Sequence, residues 1–356
     1  MIFALFILNS FLLALSLVNF ISIRKPSSTS AIETSIVLLL PVRNEEANIA
    51  RILNELSNQE GVPNLRVVVI DDSSEDRTLG IAQSCKSDRI SIISAPQAQA
   101  GSIGKVSALQ AGFEYAQSAD VLISVDADVH FESDAIARAV NTLINSGLDF
   151  ISPYPQQIAL TWAERLTQPL LQWSWMSTVI LRGAEKFPMT STVVCNGQFL
   201  VMKLSSLKSI GGFTSVSHKV LDDIELGRTF VAHGFKGAVI DGSGLASTRM
   251  YASFEEIKAG YGKSLNTAFG SILGAGIAAI FMTATGIAPF IYALSGNLLA
   301  IAASIAIIGT RFISAASSSS RLRDSFLHPA SAALFLYLLY FSWRNKGAIQ
   351  WKGRTV

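Results

Sequence analysis

The stretch Asp120-Val-Leu-Ile-Ser-Val-Asp126-Ala-Asp128-Val-His130 is an apolar run that ends abruptly in two carboxylates one residue apart. Side chains two apart on a strand share a face, so Asp126 and Asp128 are expected to point to one side where a buried strand emerges. Like charges that close call for a cation beside them. A strand ending in a solvated turn is the competing reading, because Asp is common in turns, and the stretch by itself leaves both open. His130 is expected to be a loop histidine rather than a further metal ligand.

On either side of this run, short apolar segments alternate with amphipathic ones, the signature of an α/β fold with a parallel sheet and crossover helices. Strands are expected at Ile36 to Leu40, Leu65 to Ile70, Ile90 to Ile93, Val121 to Val125 and Phe150 to Ser152. Helices are expected at Glu45 to Asn58, Asp76 to Ser87, Lys105 to Gln117 and Asp134 to Asn145. Ligands of open sheets gather at the carboxyl ends of the strands. Those ends carry Pro41-Val-Arg43-Asn44-Glu45, then Asp71-Asp72-Ser73-Ser74, then Asp126-Ala-Asp128.

Gly101-Ser-Ile-Gly104-Lys105 fails as a Walker A loop, since Gln99 and Val106 stand where Gly and Ser or Thr are required. A glycine turn, a helix N-terminus and one Lys still suit an anion, and a solvated Lys on a loop is the alternative. Further on, Cys195-Asn196-Gly197-Gln198-Phe199 feeds another strand, and Gly211-Gly212 breaks the helix after it. Asp222 and Asp223 open a helix in Leu221-Asp-Asp-Ile-Glu225, where the macrodipole favours negative charge. Ser253 with Glu256 reads as a capping box.

Half of the 356 residues are hydrophobic, the net charge is +2 and the mean hydropathy is +0.41. That near-neutral charge argues against nucleic acid as a partner, and the apolar excess should be concentrated in membrane segments. Met1 to Ile23 carries no charged side chain and is followed by Arg24 and Lys25, which predicts an uncleaved anchor with its C-terminal side in the cytoplasm. Residues 24–34 read as a linker and 35–265 as the catalytic domain. Within it, about 160–183 forms a Trp-rich helix expected to lie on the membrane, with a buried core helix as the alternative.

Ser264 to Thr310 is uncharged and long enough for two crossings that turn near Gly286 and Pro289. Residues 325–343, interrupted by His328 and Pro329, are expected to form a third span or, by preference, a re-entrant or in-plane segment. Otherwise the basic tail of 344–356 would violate the positive-inside rule. The two cysteines, Cys85 and Cys195, are expected to be reduced. Together these features predict a multi-pass protein of the cell (inner) membrane with a cytoplasmic domain.

Pro41-Val-Arg-Asn-Glu-Glu46, Val69-Ile-Asp71-Asp72-Ser-Ser74, Gly104-Lys105, Asp126-Ala-Asp128, Asn196-Gly-Gln-Phe199 and Asp222-Asp223-Ile-Glu-Leu stand in an order that resembles the family 2 glycosyltransferases, over about residues 35 to 265. The resemblance implies the GT-A fold, a mixed but mainly parallel sheet, with transmembrane helices at both ends. The flanks, Thr248-Arg249-Met250-Tyr251 and Trp351-Lys-Gly-Arg354 are similar to the branch that glycosylates hydrophobic lipids of carotenoid, hopanoid and ceramide type. By that resemblance Pro41, Arg43, Glu45 and Asp72 would bind the nucleotide, with Asp72 on uracil. Lys105, Asp126 and Arg249 would bind the rest of the donor. Asp128, with Asp126, would hold Mg²⁺ or Mn²⁺, and Asp223, with Asp222 as the alternative, would be the base. Gly197, Gln198, Trp351 and Arg354 would lie in the acceptor region.

The expected reaction is transfer of one sugar from a nucleotide sugar, UDP-linked, to a lipid hydroxyl with inversion at the anomeric carbon. A polyprenyl phosphate acceptor and a non-catalytic binding protein are the alternatives. Processive relatives carry Gln-x-x-Arg-Trp where this chain has Arg249-Met-Tyr251, which argues against polymer synthesis.

Overall fold

The computed structural model describes residues 1–26, 28, 30–96, 104–346, 350–351 and 354–355. The chain divides into an α/β unit, Arg24–Gln156 with Arg182–Thr248, and a helical unit, Met1–Ile23 with Gln157–Leu181 and Arg249–Val356.

In chain order the strands are β1 Ile36–Val42, β2 Leu65–Asp71, β3 Ile90–Ser94, β4 Val121–Val125, β5 Val129–Phe131, β6 Phe150–Tyr154, β7 Gln156–Gln157, β8 Phe199–Lys203, β9 Gly237–Asp241 and β10 Ala246–Thr248. The main sheet has the order β3-β2-β1-β4-β8-β6-β9. Its pairs are parallel except where β8 runs antiparallel between β4 and β6. The sheet is therefore mixed and mainly parallel, as expected.

Period-two alternation divides β1 between two cores: Ile36, Leu38 and Leu40 enter one, Val37 and Leu39 the other. Helices α2 (Ile49–Ser57) and α5 (Ala135–Ser146) fill the first core through Ile52, Leu53, Leu56, Ile136, Val140 and Leu143. Helices α4 (Gly104–Tyr115), α8 (Leu204–Ser209) and α9 (Asp222–Ala232) fill the second through Leu109, Phe113, Leu207, Leu226 and Phe230. Both faces of the sheet are covered, as parallel strands require.

Two helices start later than the sequence predicts. Helix α2 begins at Ile49 rather than Glu45, and α3 (Thr78–Ser84) at Thr78 rather than Asp76. The intervening residues tie two rim loops together instead. Asn44 takes a left-handed φ of 53°, Glu45 N–H donates to Thr78 Oγ1 at 2.7 Å, and Glu46 N–H donates to Asp76 Oδ2 at 3.1 Å.

The helical unit contains α1 (Ile2–Ser22), α6 (Trp162–Thr178), α10 (Phe254–Phe269), α11 (Ile272–Gly286), α12 (Ala288–Ala293), α13 (Leu298–Ser317) and α14 (His328–Arg344); the short α7 (Leu181–Lys186) follows α6. Among the described residues, four helical stretches are long and apolar enough to cross a membrane: Ile2–Ser22, Ile272–Ala293, Leu298–Ser317 and Leu322–Arg344. Helix α1 packs on α13 and α6. Its buried Asn19 closes the end of α6, donating to Met176 and Val179 carbonyls and accepting from Leu181 N–H.

Three expectations are refined here. In the Trp-rich helix α6, Trp173 (1% exposed) and Trp175 (6%) pack inside the unit, while Trp162 (60%) and Leu171 (45%) stay exposed. Trp173 donates to Thr310 Oγ1 at 2.7 Å. Secondly, the turn expected near Gly286 and Pro289 is a junction between α11 and α12, and the reversal falls at Gly296, with φ of 76°. Thirdly, His328 and Pro329 do not interrupt the last apolar run. They begin α14, where a proline without an N–H costs nothing. Ser253 caps α10 as expected, with Glu256 N–H on Ser253 Oγ, but the box does not close on itself: Glu256 accepts from Ala252 N–H rather than from Ser253 N–H.

Candidate active site

The carboxyl ends of β1, β2 and β4 lie along one rim of the sheet, since these neighbours run parallel. From β1, Arg43 reaches Asp72 beyond β2, with Nη1 at 3.8 Å from Oδ2. Its Nε and Nη1 are buried without hydrogen-bond partners. Asp72 N–H is fixed on Val42 carbonyl at 2.9 Å. Pro41 is part of β1 itself, half-buried before the turn. Glu45 is held by its backbone bond to Thr78 and accepts from Asn48 Nδ2 at 2.9 Å. The predicted nucleotide-binding residues are thus gathered on adjoining loops of one rim.

Asp126 and Asp128 lie just past β4 in a turn closed by Val129 N–H on Asp126 carbonyl. They lie in a turn between β4 and β5 rather than on a strand, yet they remain close enough for the charge of Asp126 to act on Asp128. Asp126 pairs with Lys105 Nζ at 2.5 Å, which places the lysine of α4 among the acids. Asp128 keeps Oδ1 buried and without a hydrogen-bond partner. Burial first, then the charges of Asp126 and Glu45, push Asp128 up to about 6, against the pull of Lys105. Burial would lower Lys105, but Asp126, Asp222 and Asp223 outweigh it and keep the ammonium charged.

The turn around Asp128 is braced by residues that the sequence reading passed over. On α2, Arg51 Nη1 donates to Val129 carbonyl at 2.9 Å and Nη2 to Ala127 carbonyl at 3.2 Å. Glu55, one helical turn on, accepts from Arg51 and from Phe131 N–H. His130 Nδ1 stands 3.3 Å from Glu55 Oε1, so His130 turns toward α2, and it lies on strand β5 rather than in the expected loop. The i, i+4 pair Arg51 and Glu55 was a visible signal, but its grip on residues 127–131 was not.

Asp222 and Asp223 open α9. Asp223 Oδ2 accepts from Gly197 N–H at 2.7 Å and Oδ1 from Ile224 N–H at 2.8 Å. A Cβ at Gly197 would stand 3.2 Å from Asp223 Cβ, so this close approach needs glycine. Gln198 is fixed by reciprocal bonds with Asn196 at 2.9 and 3.0 Å, and its carbonyl receives Asp126 N–H. One short segment, 196–198, therefore links the Asp126 turn to Asp223.

Desolvation, with Asp223 and Asp126 adding to it and Lys105 opposing, pushes Asp222 up to about 6. Desolvation raises Asp223 too, against the two N–H donors. Burial and Asp223 keep the Cys195 thiol protonated, and both cysteines are free.

Among the described residues, no three His, Cys, Asp or Glu side chains converge as a metal cage. Mg²⁺ or Mn²⁺ needs only one or two carboxylates when phosphate and water complete its sphere, and the buried Asp128 Oδ1, without a hydrogen-bond partner, is a suitable ligand.

Arg249 falls in the helical unit. Its Nε and Nη2 donate to the buried Glu164 at 3.1 and 2.9 Å, so these donors are committed to protein rather than open to a diphosphate. Glu164 also closes a capping box with Thr161 on α6, a signal present in Thr161-x-x-Glu164 that the sequence reading missed. Trp351 and Arg354 pair across a two-residue antiparallel ribbon; their side chains, like Gly101 to Ile103 ahead of α4, lie outside the described residues.

Three comparisons bear on this site. The model of the family described as "Glycosyl transferase family 2" matches residues 37–211. The chain is 27% identical over 243 residues to the 4,4'-diaponeurosporenoate glycosyltransferase of Staphylococcus haemolyticus, covering 65% of this chain and 61% of that one. It is 23% identical over 342 residues to the enzyme of the same name from Staphylococcus aureus, covering 90% and 88%. In fold it resembles the mannosyltransferase PcManGT from Pyrobaculum calidifontis, solved with GDP-Man and Mn²⁺, at a TM-score of 0.52 and 14% identity over 96% of each chain.

Proposed function

We propose that this chain, which belongs to the family 2 glycosyltransferases, transfers a single sugar from a nucleotide sugar, UDP-linked, to a hydroxyl of a hydrophobic lipid. It does so with inversion, as a multi-pass protein of the cell membrane whose α/β unit faces the cytoplasm. The observation that carries the reading is Asp223, anchored by the N–H groups of Gly197 and Ile224 and raised in proton affinity.

A carboxylate held at both oxygens keeps its aim, and a raised pKa suits a general base. Asp223 takes the proton of the acceptor hydroxyl. The acceptor oxygen bonds to the anomeric carbon, and the bond from that carbon to the diphosphate breaks with its electron pair leaving on the nucleotide. Asp222 beside it is the alternative base and also supports the negative field. Asp128, with Asp126, would hold Mg²⁺ or Mn²⁺, which when bound supplies positive charge to the leaving diphosphate. Arg43 and Asp72 would frame the nucleoside, and the Lys105 ammonium would steady the donor. The apolar helices of the other unit support a lipid acceptor.

A second reading has an anionic acceptor. The staphylococcal relatives are named for 4,4'-diaponeurosporenoate, whose ending denotes a carboxylate, and a carboxylate or a polyprenyl phosphate is already a nucleophile. The full chain in neutral detergent, given nucleotide sugars with Mn²⁺ or Mg²⁺, should release nucleoside diphosphate; no release from any donor would overturn the transferase reading. Asp223→Asn should abolish transfer to a hydroxyl yet spare transfer to an anion.

A further inference from the structure

The helical unit holds a second charged centre. Helix α13 carries one charged residue, Arg311, and it is 3% exposed. The guanidinium lies within electrostatic range of Asp324 and of His328. Asp324, 5% exposed, already accepts from Arg165 Nε at 2.9 Å and Nη2 at 2.5 Å. Asp324 is thus bonded to Arg165, while Arg311 feels its charge only at longer range, and the centre keeps an excess positive charge. The neighbouring arginines 321 and 323 are exposed.

Unmet hydrogen-bonding groups stand on the segments that carry Arg311, Asp324 and His328. Arg311 Nη1, Ser325 Oγ, Ser331 Oγ and both ring nitrogens of His328 are buried with no partner. His328 and Ser331 are fully buried, at 0%. His328 sits against Trp173, ring centroids 4.8 Å apart, and Trp173 is bonded to Thr310, the residue before Arg311. A Cβ at Gly286 would stand 3.4 Å from His328 Nε2, so α11 closes a further side. A buried charge inside a bilayer-length helix marks a binding site more often than a packing element, and buried polar groups are normally satisfied.

We propose that Arg311, His328, Ser325 and Ser331 bind the oxyanion headgroup of a membrane amphiphile, a carboxylate or a phosphate. The oxyanion balances the surplus guanidinium charge and accepts the orphaned N–H and O–H donors. An acceptor lipid and a resident anionic lipid share this chemistry. The site does not depend on the sugar-transfer reading, and its test measures binding rather than turnover.

The full chain in dodecyl maltoside is mixed with oleate, dioleoyl phosphatidate, neutral dioleoylglycerol or inorganic phosphate, and followed by thermal unfolding and native mass spectrometry. Oleate or phosphatidate should raise the melting temperature by several degrees and remain bound, whereas dioleoylglycerol should do neither. Inorganic phosphate acting alone would mean a free-anion site and overturn the amphiphile. Arg311→Gln should weaken binding at least tenfold, and Arg311→Lys should recover part of it. Equal responses to neutral and anionic lipids in the wild-type chain would overturn the proposal even if Arg311→Gln fails to fold. Unchanged anionic binding in a folded Arg311→Gln would do the same.

Discussion

Asp128 and Asp222 of the α/β unit and Glu164 of the helical unit sit at opposite extremes. In the α/β unit, Asp128 and Asp222 are pushed up to about 6 by desolvation and by each other's neighbours. In the helical unit, Glu164 is buried yet falls to about 2, because Arg249, Thr161 and the N–H of Leu160 outweigh its desolvation. Glu164 has its partners within the chain and serves the fold. Asp128 has an oxygen with none, which makes sense if its partner arrives with the substrate. The same residue chemistry therefore serves structure where it is satisfied and function where it is left open.

The sharpest way to break this contrast is Asp223→Asn. Loss of general-base action should lower the turnover number with a hydroxyl acceptor about 10³-fold, measured as product formed per unit time at saturating donor, with the melting temperature little changed. Next in size, Asp128→Ala should weaken Mn²⁺-dependent UDP binding about 100-fold, and Asp126→Ala about tenfold, by calorimetric titration. Equal losses would mean that the two acids share the metal alike, and would erase the distinction drawn from their partners.

Glu164→Gln tests the other side of the comparison. It removes the charge from a buried partner of Arg249 and should cost about 2 kcal/mol of stability, the usual cost of a broken buried pair discounted for Arg249's exposure. UDP affinity of the folded fraction should stay unchanged. A smaller effect is expected from Arg51→Ala, which frees the carbonyls flanking Asp128. Metal-dependent UDP affinity should fall about tenfold, and Arg51→Lys should restore only part of it, since a single ammonium cannot span both carbonyls.

pH separates the two populations by sign. For Asp128 and Asp222 the folded pKa lies above the unfolded value of 3.8, so the folded state binds more protons and its stability declines as pH rises through about 6. For Glu164 the folded pKa lies below 4.5, so its contribution is present above 4.5 and is lost only as pH falls toward 2. The metal-free chain should accordingly melt a few degrees lower at pH 8 than at pH 5. Mn²⁺ with UDP should remove much of that difference, and Glu164→Gln should leave it in place.

Much of the α/β unit could be read from the sequence because its signals are local. Val121 to Val125 is a strand with the expected bounds, since five apolar residues ahead of an acidic turn leave little choice. The rim residues Arg43, Asp72 and Asp128 follow strands whose parallel order brings their carboxyl ends together. The apolar helix Ile2–Ser22, long enough to cross a membrane, is set by length and hydropathy alone. Helix starts were missed at Glu45 and Asp76 because these two loops bond to each other, Glu45 N–H on Thr78 Oγ1 and Glu46 N–H on Asp76 Oδ2, and such partners are absent from any local window.

The sequence by itself thus determined the sheet, the acidic rim and the apolar helices, because strand alternation, charge and hydropathy act over a few residues. Only the tertiary structure decided which charged groups are satisfied. It paired Arg249 with Glu164, set Gly197 N–H on Asp223, gave Arg51 the carbonyls around Asp128, and bonded Asp324 to Arg165 while leaving Arg311 Nη1 buried without a hydrogen-bond partner. Those partners come from distant stretches of chain, and a side chain's electrostatic state depends on what folding brings within a few ångströms of it.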